Sequence, residues 1–167
     1  INPENSSRRW NTAYNFPAVQ AGDVIKKEFE ATSRAFMQGY VMNTRRPLFQ
    51  DVRVRQALTY AFDFETMNRT VLFNSSKRTS SDEVGSELAS SGVPQGRELE
   101  ILSEFKDKLP PALFSEPFKL PVYDNPQAER TNLREAVRLL GEAGWTIKGR
   151  QMVNAKTGEV FRFQMLG

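Results

Sequence analysis

An α/β chain, built from helices, short strands and a C-terminal β-hairpin, is what this sequence of 167 residues predicts. Three runs of residues carry that expectation. Residues 38–63 place a short segment rich in Tyr, Val and Met, a proline turn and an apolar helical stripe in immediate succession. Leu133, Ala136, Val137 and Leu140 recur at helical spacing ahead of Gly144. Phe161, Phe163 and Met165 then alternate with Arg162 and Gln164, the period-2 pattern of a half-buried strand.

In chain order, residues 1–14 are polar and turn-rich, and Phe16-Pro17-Ala18-Val19 anchors the chain ahead of Asp23. Val24, Ile25 and Phe29 suggest a short turn or a strand end. Residues 39–43 read as a strand, and Pro47 disfavours helical geometry at Arg46. Val54, Ala57, Leu58, Ala61 and Phe62 fall at i, i+3, i+4, i+7 and i+8, one face of a helix that packs on a core. Asp51 precedes that helix, where a carboxylate can accept from a first-turn amide and meets the positive end of the macrodipole. Asp63 can cap a second helix carrying Phe64, Met67, Val71 and Leu72, and the serine-rich residues 74–81 form a loop.

Leu99, Ile101, Leu102 and Phe105 mark a short helix from about Arg97. Pro110, Pro111, Pro117 and Pro121 then rule out a long helix and favour extended or turn conformations up to Asn125. A helix is expected from about Thr131, ended by Gly144 in the left-handed conformation, with Trp145 packing back on it. Residues 146–153 and 160–165 read as the two strands of the hairpin, joined through Asn154-Ala155-Lys156-Thr157-Gly158. Phe62, Phe64, Phe73, Trp145, Phe161 and Phe163 are expected in the core.

The composition narrows the function classes. The chain has neither cysteine nor histidine, which removes thiol chemistry, the commonest general base and any ordinary zinc site. No D-x-[DN]-x-[DN]-G loop, G-x-S-x-G or P-loop pattern is present, so no metal, no cofactor and no catalytic residue is expected. No apolar run approaches the roughly 20 residues of a membrane span. The net charge is only +3, yet Arg8-Arg9, Arg45-Arg46, Arg53, Arg55 and Lys77-Arg78 form basic clusters able to meet phosphates or carboxylates. A nucleic-acid or anion-binding module is therefore the alternative reading, although no recognition-helix, zinc-finger or RNP pattern accompanies the arginines.

A resemblance favours another function. Asn43-Thr44-Arg45-Arg46-Pro47, followed by Phe49-Gln50-Asp51-Val52-Arg53-Val54-Arg55-Gln56-Ala57-Leu58 and Ala61-Phe62-Asp63, resembles the family 5 extracellular solute-binding proteins, receptors of ABC importers. Trp10-Asn11-Thr12-Ala13-Tyr14-Asn15-Phe16-Pro17 and Phe62-Asp63-Phe64-Glu65 look like the subgroup that captures oligopeptides and microcin-C-type peptides. Ser86-Glu87-Leu88-Ala89, Leu109-Pro110-Pro111, Asn132-Leu133-Arg134-Glu135-Ala136 and Ala143-Gly144-Trp145 extend the likeness in the family's order. Tyr123-Asp124-Asn125-Pro126 departs from it, where the subgroup usually has a Gly-rich stretch.

The resemblance implies one lobe of a two-lobe receptor of the periplasmic binding protein type II-like fold. Residues 1–38 would close the first lobe and cross over, and residues 39–167 would belong to the second, substrate-binding lobe. It further implies an internal fragment without its signal sequence, a periplasmic location, a monomer, an oligopeptide or peptide-like ligand, an inner-membrane ABC permease as partner, and no reaction. Within it, residues 40–43 are the expected crossover strand and the ligand-binding candidates are Tyr40, Asn43, Arg45 and Arg46. Tyr40 can stack on or hydrogen-bond a ligand, or pack in the hinge with its hydroxyl satisfied. Asn43 can bond a peptide backbone, and the arginines can pair with a carboxylate or phosphate, though adjacent side chains point different ways. Asp51 and Asp63 are expected to cap helices rather than act as acids or bases, and Glu87 to be an exposed loop carboxylate.

Overall fold

The computed structural model describes residues 4–29 and 37–166. It divides into two compact units, one formed by Ile1–Phe29, Gly39–Lys77 and Pro121–Gly167, the other by Glu30–Gln38 and Arg78–Leu120.

In the first unit the polar start is a helix, α1 (Ser7–Thr12), where only turns were expected. The Ser6 hydroxyl accepts from the Arg9 amide and closes its first turn. A single turn, α2 (Pro17–Gln20), follows with proline at its first position, where the missing N–H costs nothing. Val24, Ile25 and Phe29 make no strand and are exposed. The strand expected at residues 39–43 is also absent. Tyr, Val and Met suit a pleated surface, but a strand needs a partner ladder, and none pairs with this segment among the described residues. Val41 accordingly stands 97% exposed.

Downstream the expected geometry is present. Arg46 is extended with ψ 130°, as a residue before proline must be, and Pro47 opens α3 (Pro47–Gln50). The Asp51 carboxylate accepts from the Arg53 amide at 2.9 Å and starts α4 (Val52–Tyr60). Val54 and Ala57 are buried in α4. Ala61 and Phe62, predicted to continue the stripe, are exposed because the helix ends at Tyr60 and the chain turns away. Asp63 accepts from the Thr66 amide at 2.8 Å and starts α5 (Phe64–Thr70).

The second unit holds α6 (Gly96–Ser103), a 3₁₀ turn (Lys106–Lys108) and α7 (Ala112–Ser115). The prolines thus confine residues 106–120 to short turns and extended chain. Serine hydroxyls replace regular ladders here: Ser81 Oγ accepts from the amides of Glu83 and Ser90, and Ser86 Oγ from that of Leu88.

Back in the first unit, α8 (Pro126–Glu142) begins five residues before Thr131. The reason lies in Asn125, whose Oδ1 accepts from the amides of Gln127 and Ala128, with Pro126 preset at the first helical position. Its buried residues are Asn132, Ala136 and Leu139, while Leu133 and Val137 lie more than 40% exposed. The inward face is therefore rotated from the predicted one, and a polar residue sits in it because Asn132 Nδ2 donates to the Val122 carbonyl at 2.8 Å. Ala57 of α4 packs on Ala136 and Leu139 of α8, with Tyr60 and Leu140 at the margin. Small side chains at the crossing bring the two backbones close.

Gly144 follows α8 at φ +87°, the conformation expected of it. Open space surrounds the position of an added Cβ, so Gly144→Ala is strained by its backbone alone. We expect that substitution to cost about 1–2 kcal/mol in urea denaturation.

The hairpin turns at a different place from the one predicted. Its strands are β1 (Trp145–Lys148) and β2 (Gln151–Asn154), antiparallel, with Lys148 opposite Gln151 and Trp145 opposite Asn154. The two-residue turn is Gly149-Arg150, with Gly149 at φ +61° in the first central position that a II′ turn reserves for glycine. Residues 154–158 form the next loop, after which Val160 makes a single bridge to Val153 and no further strand. The alternating aromatics form an edge-to-face row instead: Trp145 meets Phe161 at 4.8 Å, Phe161 meets Phe163 at 6.0 Å, and Phe163 meets Phe49 at 5.7 Å. Of the aromatics expected in the core, none is fully buried, and Phe62 and Phe163 are exposed. Among the described residues the buried aromatic is Tyr123.

Candidate ligand-binding segment

The four candidate residues lie on one irregular segment leading into Pro47. Asn43 organises it: its Oδ1 accepts from the Arg45 amide at 3.1 Å and from Arg45 Nε at 3.3 Å, while its carbonyl accepts from the Arg46 amide at 3.0 Å. This is an Asx turn, in which the side chain mimics the backbone. It occupies the carboxamide oxygen and leaves Nδ2 available as a donor. Tyr40, Asn43, Arg45 and Arg46 are all exposed. The Arg46 guanidinium has no hydrogen-bond or ion-pair partner among the described residues.

The other arginines of the motif are engaged within it. Arg53 pairs with Asp51 at 2.6 Å through Nη2. Arg55 donates to the carbonyls of Phe49 at 2.6 Å and Gln50 at 2.9 Å, closing the end of α3. Of this basic cluster, Arg45 and Arg46 therefore keep their charge exposed, and Arg53 and Arg55 hold the turn.

The Arg53 side chain, by hydrogen bonding, holds the Asp51 carboxyl below its ordinary value of 3.8. A carboxylate with a depressed folded-state pKa stabilises the fold above its unfolded value and loses that contribution as pH falls through the folded one. Asp51→Asn keeps a capping oxygen but not the charge. Its acid denaturation below pH 3.8 should be flatter than that of the parent chain. At neutral pH, Asp51→Ala is expected to cost about 0.5–2 kcal/mol in thermal unfolding.

A second feature was not read from the sequence. An open depression of about 640 Å³ is lined by Tyr60, Thr131, Asn132, Arg134, Glu135 and Arg138. Arg138 bonds Glu135 at 2.6 Å and also Glu142, so Glu135 is held below the usual carboxylate range and Arg138 above its ordinary value. The i, i+3 and i, i+4 spacing of these charges was the available signal. None of the four candidate residues lines the depression. Among the described residues, no cluster of three or more Asp or Glu side chains converges as a cation would need, and no helix is long and apolar enough to cross a membrane.

A sequence profile of the bacterial extracellular solute-binding proteins, family 5, in its middle region, matches residues 6–165. The "Probable peptide-binding protein YejA" of Agrobacterium fabrum is 50% identical over 165 residues, which cover 98% of this chain and 27% of that protein. The "Uncharacterized protein y4wM" of Sinorhizobium fredii is 48% identical over 167 residues, covering 98% of this chain and 25% of that protein. The "Peptidoglycan-binding protein YepA" of Agrobacterium fabrum is 39% identical over 167 residues, 99% of this chain and 27% of that protein. The chain thus spans about a quarter of the length of the curated relatives it matches. With a profile match along nearly its whole length, the chain belongs to the bacterial extracellular solute-binding proteins, family 5.

Proposed function

We propose that this chain is part of the solute-binding component of an ABC importer, which captures oligopeptides or peptide-like conjugates in the periplasm and delivers them to an inner-membrane permease. The observation that carries the reading is the 50% identity, over 98% of the chain, to a relative named as a probable peptide-binding protein. In this reading residues 1–38 end the first lobe and cross over, and residues 39–167 belong to the second. The protein is a monomer and catalyses no reaction. Ligand binding shifts an open–closed equilibrium of the whole receptor, and the permease reads the closed state.

The exposed segment suits a peptide chemically. Asn43 Nδ2 donates to a peptide carbonyl, Tyr40 offers a ring face and a hydroxyl, and the unpaired Arg46 fork takes a carboxylate or phosphate in bidentate fashion, with Arg45 beside it. Calorimetry with short peptides on the protein of the whole reading frame and on these 167 residues tests the reading. Binding is expected in the former and is much weaker in the latter. Equal affinities, or no peptide binding by the whole protein, would overturn it. In the whole protein Arg46→Ala should weaken binding about tenfold or more, the loss of one hydrogen-bonded charge pair.

A further inference from the structure

The two exposed arginines of the candidate segment are not alike. Asn43 Oδ1 accepts from the Arg45 amide at 3.1 Å and from Arg45 Nε at 3.3 Å, so one oxygen fixes both the backbone and the head group of the same residue. A guanidinium can meet a carboxylate through either of two paired edges, a side edge made of Nε and one Nη, or an end edge made of both Nη groups. With Nε engaged by Asn43, the side edge of Arg45 is taken and its end edge stays open. Asn43 holds Arg46 only by the backbone, its carbonyl accepting from the Arg46 amide at 3.0 Å.

The charge of the pair is not cancelled locally. Residues 39–50 contain no Asp or Glu, and Asp51 gives both carboxylate oxygens to Arg53. Among the described residues the ion-paired arginines are Arg53, Arg97 and Arg138. Arg45 therefore combines an uncompensated charge with a head group that is already oriented. A fork fixed before its partner arrives loses less side-chain freedom on binding than a free one. The Asn43 contact is exposed and adds little to the stability of the fold, so its consequence lies in what meets Arg45.

We infer that Asn43 is a positioning residue, which presents the end edge of Arg45 to a carboxylate of the ligand and so makes the segment select peptides with a free carboxylate over their neutral counterparts. A C-terminal carboxylate and an Asp or Glu side chain of the peptide offer the same chemistry. The inference rests on the peptide-binding reading above and deepens it.

Calorimetry on the protein of the whole reading frame tests it with trialanine, trialanine amide and Ala-Asp-Ala amide. Losing the Asn43 Nδ2 donor weakens all the probes alike, so the ratio of their Kd values, which a merely structural role would not move, reads the positioning. The parent should bind a carboxylate-bearing probe about tenfold or more tightly than trialanine amide, and the preferred probe tells which carboxylate is read. Asn43→Asp keeps the turn but sets a charge against Arg45 Nε, where it pairs with the guanidinium and repels the ligand, so the ratio should fall to about one. Asn43→Ala should lower the ratio about threefold or more, and Asn43→Ser, which keeps an uncharged oxygen, should restore part of it. A parent ratio near one, or a ratio that neither Asn43→Asp nor Asn43→Ala changes, would overturn the inference. If no probe binds the parent, the peptide reading fails by itself and inorganic phosphate decides the positioning. Phosphate binding weakened by Asn43→Ala and recovered in Asn43→Ser supports it, while no phosphate binding, or equal binding by parent and Asn43→Ala, overturns it.

Discussion

Replacing Tyr123 by alanine is expected to destabilise the first unit by about 3–5 kcal/mol, in the range for removing a large buried aromatic. Tyr123 is 7% exposed and sits where the chain returns from the second unit through Pro121. Three ties fix it there. Its hydroxyl donates to the Tyr60 carbonyl at the end of α4, an acceptor that the helix leaves without an intrahelical donor. Its amide donates to Glu65 Oε2 at 3.0 Å, and the carbonyl of Val122 just before it accepts from Asn132 at 2.8 Å. Alanine keeps the amide tie but removes the ring and orphans the Tyr60 carbonyl. Tyr123→Phe isolates the last effect and should cost about 1–2 kcal/mol. Urea denaturation followed by tryptophan emission reads both, and a change under about 1 kcal/mol for Tyr123→Ala would sink the assignment of this residue as the buried clasp.

The same residue shows what sequence could not supply. Tyr123 lies in a run without periodicity, in the four residues that depart from the family pattern, and its burial depends on partners 58 and 63 positions away. Local signals performed differently. Asp51, Asp63 and Gly144 were legible because each cap depends on its own element's backbone within a few residues. Asn125-Pro126 carried the same kind of signal and set the start of α8, although the apolar periodicity begins later. The hairpin failed on turn chemistry: Gly149-Arg150 outweighed the more conspicuous Asn154 to Gly158 loop. The strand at residues 39–43 failed because propensity does not supply a partner.

The candidate site was legible as a place rather than as a geometry. Asn43, Arg45 and Arg46 are recognisable as a motif, but that Asn43 spends its oxygen on the Arg45 amide, and that Arg53 and Arg55 are tied while Arg46 is not, needed coordinates. The motif that identifies the family is thus mainly scaffold. Its helix α4 earns its place by packing on α8, and that contact can be measured.

Leu139→Ala should cost about 2–5 kcal/mol, toward the upper part of that range. Its buried neighbours are Ala57 across the contact and Ala136 on its own helix, methyl groups that cannot swing into the space a leucine leaves. Val137→Ala, on the same helix but 46% exposed, should cost less than about 1 kcal/mol and serves as the control for helix propensity. Tyr60 packs at the margin of the same cluster, and its carbonyl holds the Tyr123 hydroxyl. A Leu139→Ala cavity therefore loosens the acceptor that Tyr123 depends on, and Leu139→Ala with Tyr123→Phe should fall short of additivity by about 0.5 kcal/mol or more. Strict additivity in that double-mutant cycle would mean that the α4–α8 contact and the returning segment are energetically separate, and the clasp would then be held by Glu65 and Asn132 alone.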